Sequence, residues 1–132
     1  MEKRWNSSQH AVYNCGYHFI WCPKYRRPVL TEAIQVRLKE LLYQKAAEHS
    51  WTIEKMEVMP DHVHVFIKCS PDDAPAFIVS QLKGAASFTL RNEFPFLKSK
   101  LPTLWTRSYY CETVGHISEK TIKKYIENQK NK

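Results

Sequence analysis

The sequence predicts one α+β domain, an antiparallel sheet with helices packed on it in a ferredoxin-like or RRM-like layout. With 132 residues, the chain can bury one core and is too short for two. Stretches rich in aromatic and β-branched residues alternate with stretches whose apolar residues recur at helical spacing. Their order, β-α-β-β-α-β-α, is typical of an antiparallel sheet covered by helices. We therefore treat residues 1–132 as a single domain.

The first predicted elements are a strand and a helix. Residues 12–22 are rich in aromatic and β-branched side chains and indicate one long strand, which ends at Pro23. Thr31 is suited to cap a helix that continues to about His49. The apolar stripe of this helix consists of Ile34, Leu38, Leu41, Leu42 and Ala46.

A hairpin follows, with residues 52–58 and 62–68 as its strands. Alternate residues of a strand point to the same face, so His62 and His64 stand side by side, about 6.5 Å apart at Cα. Two imidazoles at this spacing can bind one metal ion. Taken alone, the pair is more simply explained as two polar side chains on a half-exposed strand. Asp61, in the turn, either orients one histidine or only shapes the turn.

The second helix and the loop after it are predicted from capping residues and prolines. Asp72 or Asp73 can cap the helix, which has Pro75 in its first turn and ends near Asn92. We expect it to bury Phe77, Ile78, Leu82, Ala85 and Phe88. Residues 94–104 are interrupted by prolines and predict a loop.

The end of the chain predicts a strand and a final helix. Residues 105–114 indicate a strand or strand pair that Gly115 ends, and Ser118 caps a helix that continues to about Gln129. Tyr125 and Gln129 are four residues apart, so they share a helix face at about 5–6 Å between Cβ atoms. A tyrosine hydroxyl can act as a nucleophile, and an amide oxygen with two imidazoles makes an incomplete, mixed shell that leaves positions open for water and a phosphate oxygen. As one of seven tyrosines, Tyr125 is by itself more simply a packing side chain.

Taken together, these residues carry a family resemblance. A His-hydrophobe-His on a strand, followed by Tyr-x-x-x-Gln on a C-terminal helix, resembles the TnpA-type single-tyrosine transposases of the HUH superfamily. The resemblance covers nearly the whole chain, through residues 18–29, 59–67, 81–84, 104–105, 114–115 and 125–129. His-x-His alone is a weak signal, whereas the full set in this order is specific.

The resemblance implies a mechanism and partners. It implies that His62, His64 and Gln129 hold a divalent ion, Mg²⁺ or Mn²⁺, and that Tyr125 attacks DNA to form a 5′-phosphotyrosine. It implies that the substrate is single-stranded DNA with hairpins. It also implies a homodimer in which each active site takes its histidines from one subunit and its tyrosine from the other. The sequence alone is equally compatible with an active site made within one subunit.

The charge balance independently favours a polyanionic partner. Lys and Arg number 20 against 13 Asp and Glu, giving a net charge of +7. Lys24, Arg26 and Arg27 follow the first strand and are candidate phosphate contacts, and Lys83 is a weaker one. A solvated turn explains the first three about equally well.

Several classes are disfavoured by composition. The four cysteines show no Cys-x-x-Cys spacing, which argues against a zinc cluster. The start of the chain has no apolar signal-peptide core, and no apolar run reaches membrane-spanning length, so we expect a cytoplasmic protein. Rival functions are a non-catalytic single-stranded nucleic-acid-binding module, another HUH nuclease such as a relaxase or replication initiator, and a simple metal phosphodiesterase.

Overall fold

The structure is a computed structural model that describes residues 6–7, 12–13, 15–113 and 119–129. Its strands are β1 (Asn6–Ser7), β2 (Val12–Tyr13), β3 (Gly16–Trp21), β4 (Thr52–Met59), β5 (His62–Lys68) and β6 (Tyr110–Thr113). Its helices are α1 (Glu32–Glu48), α2 (Pro75–Glu93), α3 (Phe96–Lys100) and α4 (Glu119–Asn128), and a 3-10 turn spans Lys24–Arg26.

The main sheet has four antiparallel strands in the order β4-β5-β3-β6. His64 on β5 lies opposite Ile20 on β3 and, on its other side, opposite Glu57 on β4. The strand that carries both histidines is therefore internal, with a hydrogen-bonded neighbour along each edge. This arrangement confirms the predicted antiparallel sheet with packed helices.

Strand β5 alternates between a dry and a half-open face. Val63, Val65 and Ile67 are fully buried and join the core with the apolar stripes of α1 and α2. His62 and His64 point to the opposite face and are half-buried. Because the side-chain period of a strand is two, burial of the valines and the isoleucine fixes the histidines on one common face.

The predicted helix α1 is confirmed and α2 needs correction. The five predicted apolar residues of α1 are the ones it buries, and Thr31 is its N-cap, although its side chain makes no capping hydrogen bond. Helix α2 is capped by Ala74 instead of Asp72 or Asp73. The carboxylate of Asp73 instead accepts a hydrogen bond from Trp51 Nε1 at 2.9 Å.

The apolar stripe of α2 was also predicted in the wrong phase. The helix buries Ile78, Val79, Leu82, Ala86 and Leu90, whereas Ala85 is only half-buried. Phe77 and Phe88 are 43% and 73% exposed. At about 100° per residue, both phenylalanines lie roughly 150–170° around the helix axis from the centre of the buried stripe. Their size suggested burial, but helical phase decides which face meets the sheet.

Three other predicted boundaries shift. The strand predicted over residues 12–22 is split, since Val12–Tyr13 pairs with Asn6–Ser7 in a separate two-stranded sheet. The loop predicted over residues 94–104 contains α3, which buries Leu97. Within residues 105–113, the described part of the strand predicted over residues 105–114, the strand that forms is Tyr110–Thr113. Trp105 forms only an isolated bridge with Pro23. The predicted break at Gly115 and cap at Ser118 lie outside the described residues.

Two bulk expectations concern membranes and thiols. Within the described ranges, the helices are too short or too polar to cross a membrane. Cys15, Cys22, Cys69 and Cys111 are free thiols.

Candidate functional site

His62 is held from behind by a carboxylate and an arginine. Its Nδ1–H donates to Asp61 Oδ1 at 2.9 Å, and Arg26 Nε donates to Asp61 Oδ2 at 2.9 Å. Burial raises the pKa of Asp61, but the hydrogen bonds and charges of His62 and Arg26 outweigh burial and leave the pKa below its ordinary value. Asp61 is therefore an ionised acceptor that fixes the His62 tautomer with its Nε2 lone pair available.

The backbone at Tyr25 and at Arg26, the partner of Asp61, is in an uncommon conformation. Tyr25 and Arg26 have φ of 58° and 52°, in the left-handed region that non-glycine residues rarely adopt. The Arg26 side chain is only 13% exposed, while Tyr25 is 48% exposed. Arg26 Nη1 is buried without a hydrogen-bond partner. The sequence prediction placed Arg26 with the phosphate contacts and did not anticipate its bond to Asp61.

His64 contacts a third histidine that the sequence reasoning missed. His18 Nδ1 lies 3.2 Å from His64 Nε2. Burial, with a contribution from His64, lowers the pKa of His18 to about 4, and burial also lowers the pKa of His64. Both imidazoles are thus neutral near pH 7, as metal ligation requires of His64. Only the β3–β5 register could have revealed this contact, because the two residues are 46 positions apart.

Tyr125 on α4 and Gln129, the residue that follows α4, contact the β6 side of the sheet. The rings of Tyr125 and Tyr110 lie 5.3 Å apart between centroids. The Tyr125 hydroxyl is buried without a hydrogen-bond partner. Burial raises the pKa of Tyr125 to about 12, against a lowering effect of the nearby Ser108 hydroxyl. The phenol is therefore protonated at neutral pH in this arrangement.

Gln129 is 2% exposed, and its amide is already engaged. Its Oε1 accepts a hydrogen bond from Ser108 Oγ at 3.0 Å, and its Nε2 donates to the carbonyl of Tyr125 at 3.4 Å. The described hydrogen bonds of Gln129 do not reach His62 or His64. The structure thus brings the two histidines together on β5 and Tyr125 together with Gln129 at the end of α4, and no described hydrogen bond joins the two pairs.

Two imidazoles and one amide oxygen would make a mixed donor set that leaves coordination positions open. The part of the chain that the structure describes has no cluster of three or more His, Cys, Asp or Glu side chains placed to hold an ion. That finding does not bear on a shell of two imidazoles and an amide. Nδ1 of His62 is bonded to the ionised carboxylate of Asp61, as the second ring nitrogen of metal-binding histidines usually is. His62, His64 and Gln129 are the residues here that could hold a metal.

Lys24 and Lys83, two of the predicted phosphate contacts, line an open cavity. This cavity, of about 540 Å³, is lined by Lys24, Tyr25, Lys83, Gly84, Trp105 and Arg107, among others. Lys24 Nζ is 5.1 Å from the Tyr25 ring centroid. Arg27 is exposed and lines a separate cavity with Lys100. Lys24, Tyr25, Arg27 and Arg107 therefore offer cations and an aromatic ring to a ligand.

Lys83 differs from the other predicted contacts because its ammonium is engaged inside the fold. Its Nζ donates to the carbonyls of Thr106 at 2.7 Å and Ser108 at 3.3 Å. Burial lowers the pKa of Lys83 to about 8, while the Cys22 thiol acts in the opposite direction. Lys83 thereby ties α2 to the segment that carries Ser108, the partner of Gln129. Its contact with nucleic acid stays a prediction.

Comparison with known proteins gives consistent relatives over nearly the whole length. Residues 11–129 match the family model described as "Transposase IS200 like". The chain is 42% identical to the ISDra2 transposase TnpA of Deinococcus radiodurans. The alignment spans 123 residues and covers 92% of this chain and 88% of that protein. The chain is 31% identical over 125 residues to the transposase for insertion sequence element IS200 of Salmonella typhimurium, covering 93% and 82%.

Solved structures agree with these relatives. A crystal structure of a Deinococcus radiodurans R1 protein, provisionally assigned as a transposase, matches with a TM-score of 0.87 and 35% identity, covering 94% of this chain and 97% of that one. A tyrosine transposase associated with REP sequences, bound to a REP hairpin, matches with a TM-score of 0.59 over 92% of this chain and 68% of that one. Its identity is 13%, so that likeness shows the fold alone.

Proposed function

The chain belongs to the IS200-like transposase family, and from that premise we propose that it is a metal-dependent transposase of single-stranded DNA. Transposases of this kind are enzymes that cleave and transfer DNA. The proposal adds cleavage and rejoining at hairpin-bearing ends through a 5′-phosphotyrosine. The observation that supports this proposal is the histidine pair on one face of β5, in which Asp61 holds His62 through Nδ1.

We propose that His62, His64 and Gln129 hold one divalent ion, Mg²⁺ or Mn²⁺. Such an ion supplies positive charge that polarises the scissile phosphate. Asp61 keeps His62 in the tautomer whose Nε2 can ligate, and burial keeps His64 neutral. In the described arrangement Gln129 bonds Ser108 and Tyr125 instead of lying with the histidines, so this role requires Gln129 to reach them from another position. We propose that α4 moves relative to Ser108 when the site assembles.

We propose Tyr125 as the nucleophile. Its phenolic oxygen attacks the phosphorus and loses its proton, the bond from Tyr125 Oη to phosphorus forms, and the bond to the 3′ oxygen breaks. The 3′ oxygen takes up a proton and leaves as a hydroxyl. Attack by a 3′-hydroxyl on the phosphotyrosine reverses the step and rejoins DNA without ATP. Because the Tyr125 hydroxyl is buried, the same movement of α4 must expose it to the substrate.

Single-stranded DNA with hairpins is the partner that we propose. The net charge of +7 supports a polyanion, and one protein with the same fold is bound to a REP hairpin. Lys24 and Arg27 are the more available of the predicted phosphate contacts. Arg26 is less available, because its side chain is only 13% exposed and bonds Asp61. Lys83 remains the weakest candidate, because two carbonyls already hold its ammonium.

A denaturing gel tests the catalytic proposal. Purified protein is mixed with labelled single-stranded DNA that carries a hairpin, with Mg²⁺ or Mn²⁺ and with a chelator. We expect a covalent protein–DNA adduct that depends on the ion and on Tyr125, while the Tyr110→Phe control still forms it. Hydrolysed fragments without an adduct would instead indicate a phosphodiesterase. Binding without cleavage or adduct would indicate a non-catalytic module.

We also propose a cytoplasmic homodimer with active sites shared between subunits. The contacts of Tyr125 and Gln129 with Tyr110 and Ser108, instead of with the histidines, support a helix that reaches its site in another position. Mixing inactive Tyr125→Phe with inactive His64→Ala protein tests this arrangement. If sites are shared, subunit exchange creates one intact site per heterodimer and single-end cleavage returns. No recovery after demonstrated subunit exchange would refute sharing for that step.

A further inference from the structure

The contact between His18 and His64 has no role in the function proposed above. His18 lies on β3, one strand from His64, and its Nδ1 is 3.2 Å from His64 Nε2. The His18 ring is held in turn by Phe66, edge-on at 4.3 Å between centroids. Glu112, on the neighbouring strand β6, lies opposite His18 in the sheet register. His18 is therefore fixed between two strands beside a proposed metal ligand.

The chemistry of two imidazoles allows two forms of this contact. Ring nitrogens 3.2 Å apart form a hydrogen bond only if one carries a proton and the other a lone pair. If His18 donates, a neutral His64 uses its Nε2 lone pair on His18, carries its proton on Nδ1 and has no nitrogen left for an ion. If His64 donates from Nε2–H, its Nδ1 lone pair is available. Only the second form makes His64 a ligand.

We propose that His18 is a positioning residue that accepts a hydrogen bond from His64 Nε2–H and so holds His64 in the tautomer that binds a divalent ion through Nδ1. The inference rests on the proposed metal site and extends it. His62 has an acceptor of its own on the opposite ring nitrogen: Asp61 accepts from His62 Nδ1–H, which leaves Nε2 as the nitrogen that could ligate. Both proposed histidine ligands then have an acceptor behind them. Partners of this kind fix ring orientation and raise ligand basicity.

The tautomer can be measured on the metal-free protein. Long-range proton–nitrogen NMR of the ¹⁵N-labelled chain distinguishes a histidine protonated on Nε2 from one protonated on Nδ1. We expect His64 to be protonated on Nε2 in the full-length protein, and a shift to a tautomer mixture in His18→Leu. His64 protonated on Nδ1 in the unaltered protein would overturn the proposal.

Metal affinity gives a second readout, with Mn²⁺ as the probe in titration calorimetry. His18→Leu should weaken Mn²⁺ binding by about 10–100-fold, the usual loss when such a partner is removed. His18→Gln, whose amide oxygen can still accept from His64, should recover most of that affinity. The matched control is His49→Leu, because His49 stacks on Trp51 away from β5 and should leave the affinity unchanged. Unchanged or tighter binding by His18→Leu would overturn the proposal.

A His62→Ala variant separates failure of this inference from failure of the proposed function. If His62→Ala loses Mn²⁺ binding while His18→Leu keeps it, the metal site stands and the role of His18 is refuted. If His62→Ala also binds Mn²⁺ normally, the proposed metal site itself is wrong and the role of His18 is refuted with it.

Discussion

Strand β5 and helix α4 carry the two halves of the candidate site, and they are held in different ways. The histidines of β5 are fixed by backbone pairing on both edges of the strand and by core residues behind it. They also have partners on the ring nitrogens, at Nδ1 of His62 and Nε2 of His64. Tyr125 and Gln129 are placed by side-chain contacts with Tyr110 and Ser108. A strand inside a sheet cannot move without breaking backbone hydrogen bonds along both of its edges. A helix that is held by side-chain contacts can move to another position. The half of the candidate site on β5 is preorganised, whereas the half with Tyr125 and Gln129 is repositionable.

The largest expected effect is on the repositionable half. Tyr125→Phe should abolish the covalent adduct and strand transfer, while hairpin affinity stays within about threefold, because only the nucleophilic oxygen is lost. The change also removes a buried hydroxyl without a partner, so the free energy of unfolding should rise slightly or stay constant. A gel for the adduct and a denaturant titration check both. An adduct formed by this variant would exclude Tyr125 as the nucleophile.

The next effect compares one proposed ligand from each half. His64→Ala and Gln129→Ala should each reduce cleavage by about 100-fold or more, because a shell of two imidazoles and an amide has little redundancy. Before DNA is added, however, only His64→Ala should weaken Mn²⁺ binding, since Gln129 is bonded to Ser108 in the described arrangement. Calorimetry with and without a non-cleavable DNA hairpin measures the difference. Equal Mn²⁺ curves for unaltered and His64→Ala protein would rule out coordination there.

A smaller effect tests the partners behind β5. Asp61→Ala should weaken Mn²⁺ binding by about 10–100-fold, because His62 loses the acceptor on Nδ1 and Arg26 loses its counter-charge. Asp73→Ala is the matched control, since Asp73 bonds Trp51 at the start of β4 and should affect stability without affecting the ion. An Asp61→Ala variant with normal affinity would reduce Asp61 to a turn residue.

The smallest effect concerns the contact that retains α4. Ser108→Ala removes the donor to Gln129 Oε1 and should lower the free energy of unfolding by about 1 kcal/mol. If this contact must break before the site assembles, the same variant should form the adduct up to about threefold faster. Single-turnover adduct formation measures the rate. A slower rate would mean that Ser108 supports the active arrangement instead of opposing it.

The same comparison explains what the sequence could predict. The alternation in β5 and the stripe of α1 follow from local period, so both faces were predicted correctly. The predicted buried stripe of α2 was wrong because Phe77 and Phe88 were assigned to it by size and not by helical phase. The contacts His18–His64, Arg26–Asp61 and Ser108–Gln129 join residues 46, 35 and 21 positions apart, and local patterns do not encode such pairs. Family resemblance supplied the roles of Tyr125 and Gln129, but it did not supply their position relative to β5.

Gly84 has a consequence for the thermostability of this enzyme. It lies exposed in the middle of α2, and a Cβ added there would meet nothing within 4 Å, so packing gives no reason for a glycine. A glycine inside a helix costs about 0.5–1 kcal/mol relative to alanine. Gly84→Ala should therefore raise the melting temperature by about 2–4 °C, measurable by calorimetry. Gly84 also lines the cavity with Lys24 and Arg107, so the added methyl group would occupy space where a DNA backbone could approach. If Gly84→Ala melts at a higher temperature but binds hairpins less tightly, the glycine lowers helix stability and leaves room for DNA. If hairpin binding is unchanged, Gly84→Ala is a stabilised form for structural work.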